Sequence, residues 1–234
     1  MSMISKLCLL CVSAVAASAL DDFVTLNNGL KMPVASFGLQ VVDDDTAKTQ
    51  VVQALGVGVR NLFASVLAGN QPGVGEGIKA AGVKRSDLFV CGSANTGDCS
   101  SADDCYTSTK QQCDTNLKDL QLDYVDMIML DYPSSSCDNI KGQWKAFEEM
   151  LAAKKTKSVA VSNFSPDQLD CLVGKNSTTP TLNQMPYSVG HGTDTVVADN
   201  AKRNVIVQAY SPLSSGSLVS DTDCAAIGKK CVLH

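Results

Sequence analysis

The chain has 234 residues, is 44% hydrophobic but only 5% aromatic, and carries a net charge of -5 with a pI of about 4.9. One sizeable core in a single α/β domain is the natural expectation for such a length. No Lys/Arg cluster forms a stripe, which argues against a nucleic-acid partner, and a fairly uniform acidic surface serves solubility.

The first segment reads as an address. Lys6 precedes the apolar run "LCLLCVSAVAASA", which ends in small residues. Residues 1–19 are therefore predicted to be a secretory signal peptide cleaved after Ala19, with the folded domain at 20–234. A buried N-terminal helix is the competing reading. The run is short for a membrane span, so none is expected after signal removal. The implied destination is the secretory pathway, with release to the extracellular space or an organelle lumen.

Cysteine usage agrees with an oxidising destination. Of ten cysteines, Cys8 and Cys11 fall in the leader, leaving Cys91, Cys99, Cys105, Cys113, Cys137, Cys171, Cys224 and Cys231. An even number suits disulfides, with a local pair expected among Cys91, Cys99, Cys105 and Cys113; the full connectivity does not follow from spacing. No spacing matches a zinc site, so no metal is expected. The mature region has no C-x-x-C, which weakens a thiol-redox role. Asn176 in "NST" is a glycosylation sequon expected on a surface loop, whereas Asn163 in "NFS" is expected to be buried.

The next segment, "FVTLNNGLKMP", alternates around Asn28-Gly29 and predicts a β-hairpin able to plug the bottom of a barrel. Short apolar runs then alternate with segments of helical period. Strands are predicted at "PVASFGL" from Pro33, "VRNLF" from Val59, "DLFVCG" from Asp87 and "YVDMIML" from Tyr124. Three more are predicted at "SVAVS" from Ser158, "TLNQM" from Thr181 and "VIVQAY" from Val205. Helices are predicted near 44–56, 71–81, 103–120, 140–153, 165–173, 194–203 and 221–230. Near-continuous apolar strands separated by helices imply a parallel sheet covered on both faces, doubly wound or closed as a barrel.

These segments resemble the aldo-keto reductase family. The resemblance is carried by "LNNGLKMP", "ALGVGVRNLFAS", "VKRSDLFV", "NLKDLQLDYVDMIMLDYP", "VAVSNFS", "LNQMPY" and "VQAYSPLSSG", in family order from Phe23 to Leu218. It implies a TIM-type (β/α) barrel with an N-terminal β-hairpin and its site at the C-terminal ends of the strands. It also implies reduction of carbonyls with NADPH. In the family a Tyr gives the proton, a Lys paired with an Asp tunes it, and a His orients the carbonyl. Here the Asp position holds Phe63, the Tyr position Ala68, the Lys position Ser93 and the His position Asp131, while the aromatic wall residue is Gln40. No catalytic residue is therefore expected. Asp131 is expected to be a solvated strand end or a turn acceptor before Pro133, the alternative being a neutral, buried carboxyl that donates a proton; strand alternation is expected to turn Tyr132 away from it.

The cofactor end is better preserved. Ser162, Asn163 and Gln184 match the polar contacts to the nicotinamide carboxamide, Tyr210 matches the ring that stacks on it, and Ser211 follows. The same residues have a structural use, since polar groups at strand ends satisfy one another and cap helices. The family's eighth β/α unit, with its Lys-Ser…Arg grip on the adenosine phosphate, is not matched. Cofactor-free function is therefore expected, with NADP(H) as the alternative. An open barrel edge would call for a protein partner or self-association; Cys224 or Cys231 could instead pin a last helix there. Two readings follow. One is a non-catalytic binding or structural subunit built on the reductase scaffold; the other is a divergent NADP(H)-dependent oxidoreductase acting on carbonyl compounds.

Overall fold

A computed structural model describes residues 22–226 except 40, 98, 175–176, 189–191, 193, 213 and 224. The predicted signal peptide, Gln40, Asn176 of the sequon, Cys224, Cys231 and half of the predicted 221–230 helix lie outside the described residues.

The hairpin forms from β1 (Phe23–Thr25) and β2 (Lys31–Pro33), paired antiparallel. Gly29 supplies the left-handed turn with φ 84°. Seven further strands make one parallel sheet in chain order: β3 (Ser36–Gly38), β4 (Asn61–Ala64), β5 (Phe89–Ala94), β6 (Met127–Leu130), β7 (Val159–Ser162), β8 (Leu182–Pro186) and β9 (Ile206–Tyr210). Between them run α1 (Asp44–Gly56), α2 (Gln71–Ala81), α3 (Ala102–Asp119), α4 (Cys137–Ala152), α5 (Pro166–Asp170) and α6 (Asp194–Ala201). The predicted order is thus recovered, and helices 44–56 and 71–81 match to the residue. The predicted first strand is the largest departure. "PVASFGL" divides between β2, which ends at Pro33, and β3, because the chain must turn from hairpin to sheet there. Among the described residues β3 and β9 are the two outer strands of the sheet.

Helix starts follow local chemistry. Asp43, Ser101, Ser136 and Ser165 each accept a backbone N–H of the helix they precede, and Ser165 with Gln168 forms a reciprocal capping box.

Strand alternation builds two apolar layers. Val90, Ile128, Leu130, Val159 and Val161 face the helices and pack with Trp144 and Phe147 of α4. Phe89, Cys91, Met127, Met129, Ala160 and Leu182 point to the opposite face, where Leu26 and Met32 of the hairpin close the lower end. That closure is the expected plug. Burial pushes the Cys91 thiol well above its ordinary value and the Cys113 thiol up to about 12, so neither is a reactive thiolate.

Helices α3 and α4 meet at Gly142, where a Cβ would collide with the carbonyl oxygen of Ala102. Gly142→Ala is therefore expected to lose about 1–3 kcal/mol of stability through overpacking, although alanine is the better helix former. Urea denaturation checks this, and a stabilised variant would contradict the close approach.

Candidate active site

The upper end of the sheet, at the C-terminal ends of the strands, holds a cavity of about 680 Å³. That is a normal size for a small-molecule site. Phe37, Phe63 and Leu67 form its apolar wall. Ser162, Asn163, Gln184, Gln208, Tyr210 and Ser211 form a polar wall, and Asp131 and Tyr132 lie at the end of β6.

The polar wall is one connected network. Ser162 Oγ donates to the Gln184 carbonyl at 3.0 Å, and Gln184 Nε2 donates to Gln208 Oε1 at 2.8 Å. Asn163 Nδ2 donates to Ser162 Oγ at 3.0 Å and to the Asp131 carbonyl at 3.1 Å, while Tyr210 Oη donates to Asn163 Oδ1 at 3.0 Å. Asn163 adopts φ 63°, a left-handed conformation that asparagine tolerates. It joins the ends of β6, β7 and β9. It is half-buried and lines the cavity, so the expectation of a buried Asn163 is corrected.

Asp131 differs more from expectation. It is only 4% exposed, not a solvated strand end. Ser93 Oγ donates to its Oδ2 at 2.7 Å and Ser65 Oγ at 3.1 Å. Ser93 Oγ in turn accepts the Val66 N–H at 2.8 Å. Burial raises the carboxyl above the usual carboxylate range, and the two hydroxyl contacts offset part of that rise. Tyr132 is not turned away either. Strand β6 ends at Leu130, so alternation no longer governs Tyr132, and its ring lines the same cavity at 45% exposure. Burial, and more weakly Tyr132, raises the Tyr210 phenol.

The four positions aligned with the family's catalytic groups separate. Phe63 and Asp131 line the cavity, and Ser93 reaches it only through Asp131. Ala68 sits buried in a single 3-10 turn, Val66–Ala68, and is not among the lining residues, although its neighbour Leu67 is. Sequence reasoning missed Ser65 and Gln208. Ser65 directly follows β4 at the C-terminal end of a barrel strand, and Gln208 shares the inward alternation of Tyr210; both were available signals.

Disulfides brace the loops above this site. Cys99–Cys105 sets its sulfurs 3.9 and 4.0 Å from Oγ of buried Ser134, and Cys137–Cys171 ties the start of α4 to the end of α5. The first is the expected local pair. Among the described residues no group of acidic, Cys and His side chains could hold a metal, and no helix is long and apolar enough to cross a membrane.

A sequence profile described as "Aldo/keto reductase family" matches residues 34–229. The chain belongs to the aldo/keto reductase family. An aldo-keto reductase of Mycolicibacterium vanbaalenii is 32% identical over 204 residues, covering 87% of this chain and 71% of the relative. Morphine 6-dehydrogenase of Pseudomonas putida is 30% identical over 203 residues, covering 87% and 66%. The crystal structure of an aldo/keto reductase from Brucella melitensis superposes with a TM-score of 0.80 at 31% identity, over 89% of this chain and 78% of that one. The α/β, barrel-type fold implied by the resemblance is therefore established, and the parallel sheet is a seven-stranded part of such a barrel.

The cavity can be tested against the nicotinamide nucleotide that family membership implies. Hydroxyl and amide groups of Ser162, Asn163 and Gln184 share one wall with the Tyr210 ring, which suits a flat ring bearing a carboxamide. No Lys or Arg is among the described lining residues, so only the nicotinamide end is provided within the cavity.

Proposed function

We propose that this aldo/keto reductase is a divergent NADP(H)-dependent oxidoreductase acting on carbonyl compounds. The observation that carries this reading is the convergence of Ser162, Asn163, Gln184, Tyr210 and Ser211 on one cavity beside a buried carboxyl. Membership of a family of reductases, and a relative named as a dehydrogenase, support it. Ser162, Asn163 and Gln184 would hold the carboxamide and Tyr210 would stack on the ring. A bound reduced nicotinamide would supply the hydride; the chain's own residues orient the ring, shield the cavity and handle the proton.

Binding tests the reading. NADPH titrated into the protein and followed by its own fluorescence should saturate below about 1 mM, the upper end of ordinary enzyme affinities. Trp144 is a poor reporter, being buried against Phe147 and hydrogen-bonded to the Thr178 carbonyl, outside the cavity lining. Asn163 makes three side-chain hydrogen bonds here. Asn163→Ala and Asn163→Gly should each weaken NADPH about tenfold or more, as expected from lost contacts of ~0.5–1.5 kcal/mol apiece. The two variants should differ in stability, because alanine at φ 63° costs about 1–2 kcal/mol and glycine does not. Wild-type protein that fails to bind NADPH would end this reading.

The second reading is an exported, non-catalytic binding or structural subunit. It is favoured by Phe63 and Ala68, which have no proton to exchange at positions where the family has an acid and a phenol. In that case a protein partner or a second copy would pair with the outer strands β3 and β9. Sedimentation of the native protein with its bound partners, together with intact mass, distinguishes the two. NADPH binding without any carbonyl turnover, combined with a stoichiometric partner, would favour the subunit.

A further inference from the structure

We infer that the Asp131 carboxyl is the group that exchanges a proton with a ligand oxygen in the cavity, and that Ser65 sets its acidity. This rests on the oxidoreductase reading and adds the proton source that reading lacks.

The geometry is specific. Asp131 lines the cavity at the C-terminal end of β6, yet is held by two hydroxyls from neighbouring strand ends, Ser93 of β5 and Ser65 after β4. Both hydrogen bonds fall on Oδ2; none among the described residues engages Oδ1. The backbone is fixed as well, since Asp131 N–H donates to Ala94 and its carbonyl accepts from Asn163. The ionisable groups facing the carboxyl are few. The phenols of Tyr132 and Tyr210 share the cavity, and the Cys91 thiol lies below it on β5. No Lys, Arg or His is among the described lining residues. A carboxyl in such surroundings keeps its proton to higher pH than an exposed one, because burial disfavours the charged form.

The proton accounting closes. In carbonyl reduction a bound reduced nicotinamide nucleotide would supply both electrons as a hydride, the pair of its broken ring C–H bond forming the new C–H bond at the carbonyl carbon. The carbonyl π pair moves to oxygen and forms a bond to the Asp131 proton. The pair of the broken Asp131 O–H bond stays on the carboxylate, which regains a proton from water. Ser65, which also lines the cavity, stabilises the carboxylate by donating to Oδ2 and so limits how far burial raises it. In alcohol oxidation the carboxylate accepts the proton and every step runs backwards. A positioned acid of this kind contributes roughly 10²–10⁴ in rate.

The test has one arm without cofactor and one with it. In protein labelled with carbon-13 at aspartate carboxyls, the resonance lost in Asp131→Asn is titrated by NMR. It should titrate above the ordinary aspartate range, and Ser65→Ala should move it higher still, because a contact that lowers it is gone. Stability gives an independent sign. A raised carboxyl favours folding when protonated, so wild-type stability relative to Asp131→Asn should fall as pH rises from below the ordinary carboxylate value to above the measured one. The difference should be constant outside that window.

In the second arm, NADPH and para-nitrobenzaldehyde are the probes. The wild-type kcat/KM for reduction should fall as pH rises through the value found by NMR. Asp131→Asn should lose about 100-fold or more, with NADPH affinity unchanged within about twofold and a native circular dichroism spectrum. The loss should exceed that of Tyr132→Phe at least tenfold. An ordinary titration unmoved by Ser65→Ala, or an active Asp131→Asn, would overturn the inference. So would a larger loss in Tyr132→Phe, which would give the proton to the phenol. NADPH binding with no turnover would overturn the inference and leave nucleotide binding standing, whereas failure to bind NADPH would remove the oxidoreductase reading itself.

Discussion

Asp126→Ala is expected to destabilise the protein by about 3–5 kcal/mol, the usual consequence of removing one partner from a buried ion pair. The Asp126 side chain is 4% exposed, and its two oxygens serve three donors. Arg85 Nη1 approaches at 2.7 Å, Lys157 Nζ at 2.8 Å and the Val90 N–H at 2.9 Å. The Val90 contact closes a ring with the Asp126 N–H, which donates to the Val90 carbonyl at 2.8 Å, so the carboxylate stitches β5 to the start of β6. Arg85 is also committed, lying over the Tyr124 ring at 4.1 Å and donating to the Leu88 and Tyr124 carbonyls. Without Asp126 the Val90 N–H loses its acceptor inside the sheet and a largely buried guanidinium loses its counter-ion. Lys157 contributes less, since its side chain is 47% exposed and solvent screens it. Lys157→Ala should therefore cost under about 1 kcal/mol. Urea denaturation of both variants checks the ranking, and near-equal losses would contradict it.

Loss of the Cys137–Cys171 bond is expected to cost about 3–4 kcal/mol, from the chain entropy of a link spanning 34 residues. Cys99–Cys105 spans only 6 residues and should contribute about 2 kcal/mol. The longer link matters more for the site as well. Asp131 opens the loop that leads to Cys137, and Asn163 opens the segment that leads to Cys171, so one bond restrains both sides of the polar wall. The double variant Cys137→Ser with Cys171→Ser should melt lower than wild type and bind NADPH more weakly. Wild-type protein under reductant should lose at least as much stability as that variant. If reductant leaves the melting curve unchanged, and Cys137 and Cys171 alkylate in the native protein, the bond does not form under those conditions.

Both predictions concern groups that hold strand ends and loops at fixed distances. The same device recurs at Asp131, Ser93 and Asn163, where polar groups at the ends of neighbouring strands bond to one another. Of the residues at the family's four catalytic positions, Ser93 and Asp131 bond to each other, and Ser65 joins them at the same carboxyl oxygen.

Much of this was legible in the amino-acid order. Alternation located the hairpin, near-continuous apolar runs the strands of the described sheet and period-3.6 patterns the described helices, because burial on both faces demands continuous apolar runs and one-sided burial demands a stripe. The helix expected from 165 begins at the Ser165–Gln168 capping box, a contact made within one turn. The residues from Ser162 to Ser211 were readable as one wall through the family resemblance, and a parallel sheet does bring its C-terminal strand ends together.

Other features needed the folded chain. The environment of Asp131 depends on hydroxyls 38 and 66 positions away along the chain, and no local pattern carries that separation. Tyr132 was misjudged because alternation holds only while a residue belongs to a strand, and where β6 stops is decided by its neighbours. The pairing of Cys137 with Cys171 likewise followed from where α4 and α5 come to rest. Sequence by itself determined which groups stand at the mouth of the barrel; only tertiary structure decided which of them touch, because burial, proton affinity and contact are properties of distance through space.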